Sequence, residues 1–227
     1  MVAEHTVKAF DEDITHLRGL IAEMGGLAEL AISESMEALV KGSAELAAQV
    51  ITRDKRIDAI EAEVDRLVVR TIALRAPMAD DLRDVIAGLK IAGILERIGD
   101  YAKNIAKRVT RIEGRVAFEP LTLIPAMAEI AGEMVHDVLD AYAARNPQAA
   151  QDVMERDAKV DAFYDSIFRN MVSFMVENPS TITSAAHLLF VARNLERIGD
   201  HTTNIAEQVY FAATAEYMGD RVERPEN

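Results

Sequence analysis

The chain has 227 residues, half of them apolar, a net charge of −13, and neither cysteine nor tryptophan. This length can bury one large core or two small ones. Such an acidic chain, with no clustered basic residues, excludes nucleic acid held through its phosphates, and without thiols it has no disulfide, cysteine nucleophile or thiolate metal site.

The start, Met1-Val2-Ala3-Glu4-His5, has no basic stretch followed by an apolar run, so no signal peptide is expected. A first helical pattern covers residues 7–40, with Leu17, Leu20, Ile21, Met24, Leu27, Ala28, Ala31 and Met36 at intervals of three and four. Gly25-Gly26 interrupts it as a kink or a close helix contact. Lys41-Gly42-Ser43 reads as a stop followed by an N-cap. The second helix, residues 44–74, has an apolar side of Ile57, Ile60, Val64, Leu67 and Val68, and an acidic edge of Asp54, Asp58, Glu61 and Asp65. Pro77 ends it by biasing Ala76 away from helix. A third helix, capped by Ala79 or Asp80, fades near residue 113. Its stripe is Ile91, Ile94, Ile98, Ala102, Ile105 and Val109.

Residues 114–120 form a short connector. A fourth helix runs to about residue 145, and Asn146-Pro147 supplies a cap with proline at the first helical position. The fifth helix carries Asp157, Asp161 and Asp165. It ends at the break Asn178-Pro179-Ser180. The sixth ends near residue 216, before a polar tail. No apolar run reaches about 18 residues, so no transmembrane segment is expected, and the default is a cytoplasmic protein.

The third and sixth helices carry one hexamer twice. Leu95-Glu96-Arg97-Ile98-Gly99-Asp100 returns as Leu195-Glu196-Arg197-Ile198-Gly199-Asp200, and Asn104-Ile105-Ala106 as Asn204-Ile205-Ala206. Arg53-Asp54 likewise corresponds to Arg156-Asp157, and Ile57-Asp58 to Val160-Asp161. The chain is therefore two copies of one unit. Three antiparallel helices with short loops make a bundle, so the expected fold is all-α: two tandem pseudo-symmetric three-helix bundles, at residues 1–113 and 118–217, with a tail at 218–227.

Glu96 and Asp100 stand one turn apart, on a face other than the apolar stripe. Like charges at that spacing repel unless a cation lies between them. The bland reading is a solvated acidic face with Arg97 as local counter-ion; duplication at the same helical positions weighs against it. Consecutive antiparallel helices can bring Asp54/Asp58 beside Glu96/Asp100, and Asp157/Asp161 beside Glu196/Asp200. The expected sites are thus one surface cluster per half on these eight carboxylates, with Asn104 and Asn204 adding or orienting a ligand. Oxygen donors suit magnesium, manganese, calcium or iron rather than a closed structural zinc site.

A ferritin-like di-iron enzyme would need two Glu-x-x-His motifs and two further glutamates. The sequence offers one such triplet, Glu133 to His136, without a counterpart in the first half. His136, His187 and His201 read as surface or boundary histidines, and the methionines as core filler. No phosphate loop or nucleophile elbow is legible. The competing readings are a regulatory adaptor with metal sites, a metal-free structural adaptor, and a carboxylate-bridged di-metal enzyme.

The doubled hexamer with its Asn-Ile-Ala, Arg75-Ala76-Pro77 before Asp81-Leu82-Arg83, and the paired aspartates from Asp54 and Asp157 resemble the PhoU family over residues 10–210. The second half departs after Pro179, where Ser180-Thr181-Ile182-Thr183 replaces the Asp-Leu-Arg segment. The resemblance implies a cytoplasmic, non-enzymatic, often homodimeric protein. It implies negative regulation of the phosphate-starvation response and of phosphate uptake, as an adaptor between the phosphate ABC transporter ATPase and a sensor histidine kinase. It also implies divalent or trivalent metal ions on the acidic rows, with iron, manganese, magnesium and zinc as candidates.

Overall fold

The computed structural model describes residues 2–112 and 122–218. Six long helices make up almost all of it: α1 (Val2–Lys41), α2 (Ala44–Arg75), α3 (Asp80–Val109), α4 (Leu123–Ala144), α5 (Pro147–Glu177) and α6 (Ile182–Thr214). A 3-10 turn, Pro179–Thr181, links α5 to α6, and no strand occurs among the described residues. The expected connector at 114–120 and the tail from residue 219 lie outside the described residues.

The breaks fall where local chemistry demands them. Ser43 accepts a hydrogen bond from the Leu46 amide at 3.2 Å, satisfying one of the free N–H groups at the start of α2. Gly42 provides the left-handed residue (φ 65°) that turns the chain out of α1. The Asn146 side chain accepts from the amides of Gln148 and Ala149, with Pro147 at the first helical position. Ala79, rather than Asp80, precedes α3 and caps it with no side-chain hydrogen bond.

Helices α1, α2 and α3 pack on one another, as do α4, α5 and α6. Contacts between the halves run α3 to α6 and α1 to α4, whereas α2 and α5 touch only helices of their own half. The apolar stripes meet inside: Ile57, Ile60, Ile91, Leu95, Ile98 and Ile105 in the first repeat, and Met127, Met134, Ile167, Ile198 and Ile205 in the second, are fully buried. Each contributes about 1.5–3 kcal/mol of burial.

Gly25 resolves as a close helix contact. A Cβ there would stand 2.3 Å from Leu139 Cδ1 of α4, whereas one at Gly26 would meet nothing. The pseudo-twofold relation is visible at Tyr101 and His201, equivalent residues of α3 and α6, whose side chains meet. Asp84 of α3 takes the Arg145 guanidinium at 2.9 Å and that of Arg18 at 3.4 Å. Arg145 also donates to the Ala212 carbonyl. This cluster ties both halves together at one end.

Candidate functional site

Because α2 lies against α3 and α5 against α6, the acidic rows become two seams. In the first, Asp54 feels Asp58 and Asp100, and Glu96 feels Asp100, Glu61 and Asp58. In the second, Asp157 feels Asp161 and Asp200, and Glu196 feels Asp200 and Asp161. Each seam therefore lines up its carboxylates so that neighbours along it feel one another, without bringing Asp54 to Glu96 or Asp157 to Glu196. Glu61 joins the first seam; its position on the acidic edge, three residues after Asp58, was the available signal.

The rows are not a fully solvated face. Asp54 is only 5% exposed and Glu196 9%. Two glycines of the repeated hexamer set how closely the first aspartate of each pair, Asp54 and Asp157, packs against the next helix. A Cβ at Gly99 would stand 2.7 Å from Ile57 Cδ1 and 3.4 Å from Asp54 Oδ1; one at Gly199 would stand 2.7 Å from Asp157 Oδ1. Lacking that carbon, α3 and α6 let the neighbouring helices approach closely enough to draw the first aspartate of each pair under cover.

Burial sets the electrostatics. It pushes the Asp54, Glu61, Glu96 and Glu196 carboxyls above their ordinary values, and neighbouring carboxylates add to the effect. Asp157 is pushed up to about 6 by burial, Asp161 and Asp200.

The seams differ in their cations. In the first, the Lys103 ammonium donates to Asp54 Oδ2 at 2.5 Å and also to Asp100 Oδ1. Burial pulls the Lys103 pKa down, but these two hydrogen bonds outweigh it and hold the ammonium charged. Burial of Asp54 in turn outweighs the pull of Lys103 upon it. The counter-ion of the Asp100 row is thus Lys103, not Arg97. Arg97 acts on Glu61 and Glu96 through space. The signal was the i, i+3 spacing of Asp100 and Lys103. In the second seam, Arg193 donates to Glu196 Oε1 at 2.5 Å, while Glu196 Oε2 and Asp157 Oδ1 are buried without any partner. A buried, unpartnered carboxylate oxygen is costly, and such oxygens are suited to a cation.

Among the described residues, no group of three or more carboxylate or imidazole side chains converges as a metal ion requires. Closing a seam on an ion therefore needs side-chain rotation. The ferritin-like set is not assembled. Glu133 pairs with Arg156 at 2.8 Å, and His136 faces Glu29 of α1 at 3.3 Å. Burial, with Arg108 and Arg111 adding to it, holds His187 below the ordinary histidine range.

The PhoU domain family matches residues 21–109 and 124–209. The phosphate-specific transport system accessory protein PhoU homolog of Zymomonas mobilis is 56% identical over 217 residues, covering 96% of this chain and 92% of its own. The corresponding homolog of Rhizobium meliloti is 45% identical, with the same coverage. Among solved structures, PhoU from Pseudomonas aeruginosa superposes with a TM-score of 0.88 at 33% identity, covering 91% of this chain and all of that one. The phosphate transport system regulatory protein PhoU from Streptococcus pneumoniae gives 0.85 at 26% identity, covering 92% and 98%.

Proposed function

The chain belongs to the PhoU family, and from that premise we propose that it is a non-enzymatic accessory protein of phosphate transport. It restrains uptake and represses the phosphate-starvation response when phosphate is plentiful. It does so in the cytoplasm, as a homodimer, by linking the transporter ATPase to a sensor histidine kinase. The names of its relatives over nearly the whole chain support the transport role. The described residues include no helix long and apolar enough to cross a membrane, which agrees with a peripheral place on a membrane complex.

The metal part of this reading is carried by one observation: the second seam holds two buried carboxylate oxygens without a partner. Asp157, Asp161, Glu196 and Asp200 would hold an ion there. Asp54, Asp58, Glu96 and Asp100 form the equivalent set in the first half. Bound ion would cross-link α2 to α3 or α5 to α6, stabilising the folded state only. The carboxylates' own work is to hold the helix pair in one register.

Gene deletion tests the regulatory reading. Alkaline phosphatase should rise in phosphate-rich medium, in a host with no second copy, and the transporter ATPase should co-purify with tagged protein. Unchanged phosphatase, with no ATPase recovered, would overturn it.

A further inference from the structure

We propose that the face where α3 meets α6 is a docking groove for an acidic segment of a partner protein, gripped by Arg97, Arg108, Arg111 and Arg197 over an aromatic floor of Tyr101 and Phe190. The partner's existence rests on the adaptor reading above; the chemistry of the groove does not.

The repeated hexamer contributes its arginine twice, and the acidic seams take up neither as an ion pair. Several other arginines of this acidic chain sit directly on carboxylates: Arg53 on Glu34, Arg56 on Glu23, Arg145 on Asp84 and Arg156 on Asp137. Among the described residues, Arg97, Arg108, Arg111 and Arg197 make no ion pair. Arg108 complements the negative end of α3, as a basic residue in a last turn does. That account does not extend to Arg97 and Arg197, which stand in helix interiors.

The four are arranged along one line. The Arg108 guanidinium lies 4.7 Å above the Phe190 ring, and that of Arg197 lies 5.7 Å above Tyr101. Tyr101 precedes Arg108 by two turns of α3, and Phe190 precedes Arg197 by two turns of α6, so each helix presents its pair on one face. The two stacked contacts thus recur along a single groove. Arg97, the pseudo-twofold equivalent of Arg197, bears with it on His201. At the other end Arg108 and Arg111 bear on His187. There an open pocket of about 420 Å³ is lined by Ile51, Asn104, Lys107, Arg108, Thr110 and Arg111, all donors or apolar and none acidic. Stacking fixes a guanidinium over its ring and leaves its edge N–H groups free for bidentate bonds to carboxylates.

The shape and the surroundings select the occupant. From Arg97 to Arg108, α3 runs about 16 Å, the length of several helical turns and far more than one oxyanion covers. The acidic seams α2–α3 and α5–α6 flank the groove on either side, so a broad anionic surface such as a membrane or a duplex would be repelled. A ligand one helix wide is not. Phe190 is 52% exposed, an apolar surface that an inorganic polyanion leaves unused and that an amphipathic acidic helix covers. Arginine and aromatic side chains together are also the usual anchors of protein interfaces.

Fluorescence anisotropy with the full chain tests this on a synthetic helical peptide bearing glutamate on every turn with leucine beside it. Wild type should bind, and the same peptide with glutamine for glutamate should not. A variant with Arg108→Gln and Arg197→Gln, shown by circular dichroism to be folded, should bind about tenfold more weakly or worse, and Phe190→Ala should also weaken binding. No binding by wild type, or equal binding by the double variant, would overturn the proposal. So would arginine-dependent binding of long-chain polyphosphate or phosphatidylglycerol vesicles in place of the peptide. A change of oligomeric state in the double variant, read by light scattering, would give the face to a second copy and equally overturn it. Tagged wild type should recover the transporter ATPase or the sensor kinase, and the double variant neither. If wild type recovers neither yet binds the peptide, the adaptor reading falls and the groove stands. If both recover the same partner equally, the groove is not its docking site and the proposal falls.

Discussion

The Tyr101 hydroxyl lies 3.0 Å from His201 Nε2, and the two residues occupy the same position in the two repeats. The pseudo-twofold axis therefore passes between a phenol and an imidazole, with the rings tilted and 5.3 Å apart. Arg197 lies over the Tyr101 ring at 5.7 Å. Burial, Arg97 and Arg197 hold His201 below its ordinary pKa, so it meets Tyr101 as a neutral ring. Removing the hydroxyl in Tyr101→Phe strands the imidazole nitrogen and should cost about 1 kcal/mol, read as a lower urea midpoint with an unchanged slope.

The glycines of the hexamer should be less replaceable than their neighbours elsewhere. Gly199→Ala drives a methyl against Asp157 Oδ1 and Gly99→Ala drives one against Ile57, and each should lose about 1–3 kcal/mol. Gly26→Ala meets nothing in the interior of α1 and should gain up to about 1 kcal/mol. Thermal melts of the three variants check the contrast.

The clamp between repeats is equally open to test. Arg145→Ala removes the partner of Asp84 and a donor to Ala212. Arg145 is 42% exposed at its side chain, so solvent screening limits the loss to about 1–2 kcal/mol. Hydrogen exchange at the C-terminal end of α6 should rise in step.

The pH dependence follows from Asp157. Its carboxyl titrates at about 6 when folded, against about 3.9 unfolded. The folded state then binds the proton more tightly, so stability falls as pH rises through the window between these values. In chelator the protein should melt higher at pH 5 than at pH 7.5, and Asp157→Asn should shrink that difference. His201 works in the opposite sense, its lowered pKa costing stability as pH falls below about 6.5. A His201→Gln background therefore enlarges the Asp157 effect.

Much of this architecture is written in local chemistry. Ser43, Pro77, Asn146 and Pro179 mark helix ends through capping and proline geometry, and the doubled hexamer places the two bundles. The adjacency of the acidic rows follows from consecutive antiparallel helices. Their depth does not. How far Asp54 sinks depends on the rotation and spacing of α2 against α3, which Gly99 and Ile57 set together only in three dimensions. The role of Lys103 is hidden for the same reason: Arg97 lies nearer in sequence to the acidic pair, but Lys103 is the residue whose side chain crosses to Asp54. The start of α1 at Val2 likewise lies ahead of its apolar periodicity, in a stretch with no capping signal.

Complementation of a deletion strain tests most directly whether the seams are the working parts of a phosphate regulator. Wild type should restore low alkaline phosphatase in phosphate-rich medium. A variant carrying Asp157→Asn and Asp200→Asn, shown by circular dichroism to be folded and by immunoblot to be present at wild-type level, should leave phosphatase high. Full repression by that variant would contradict the account, because it would show a regulator that works without its second carboxylate seam.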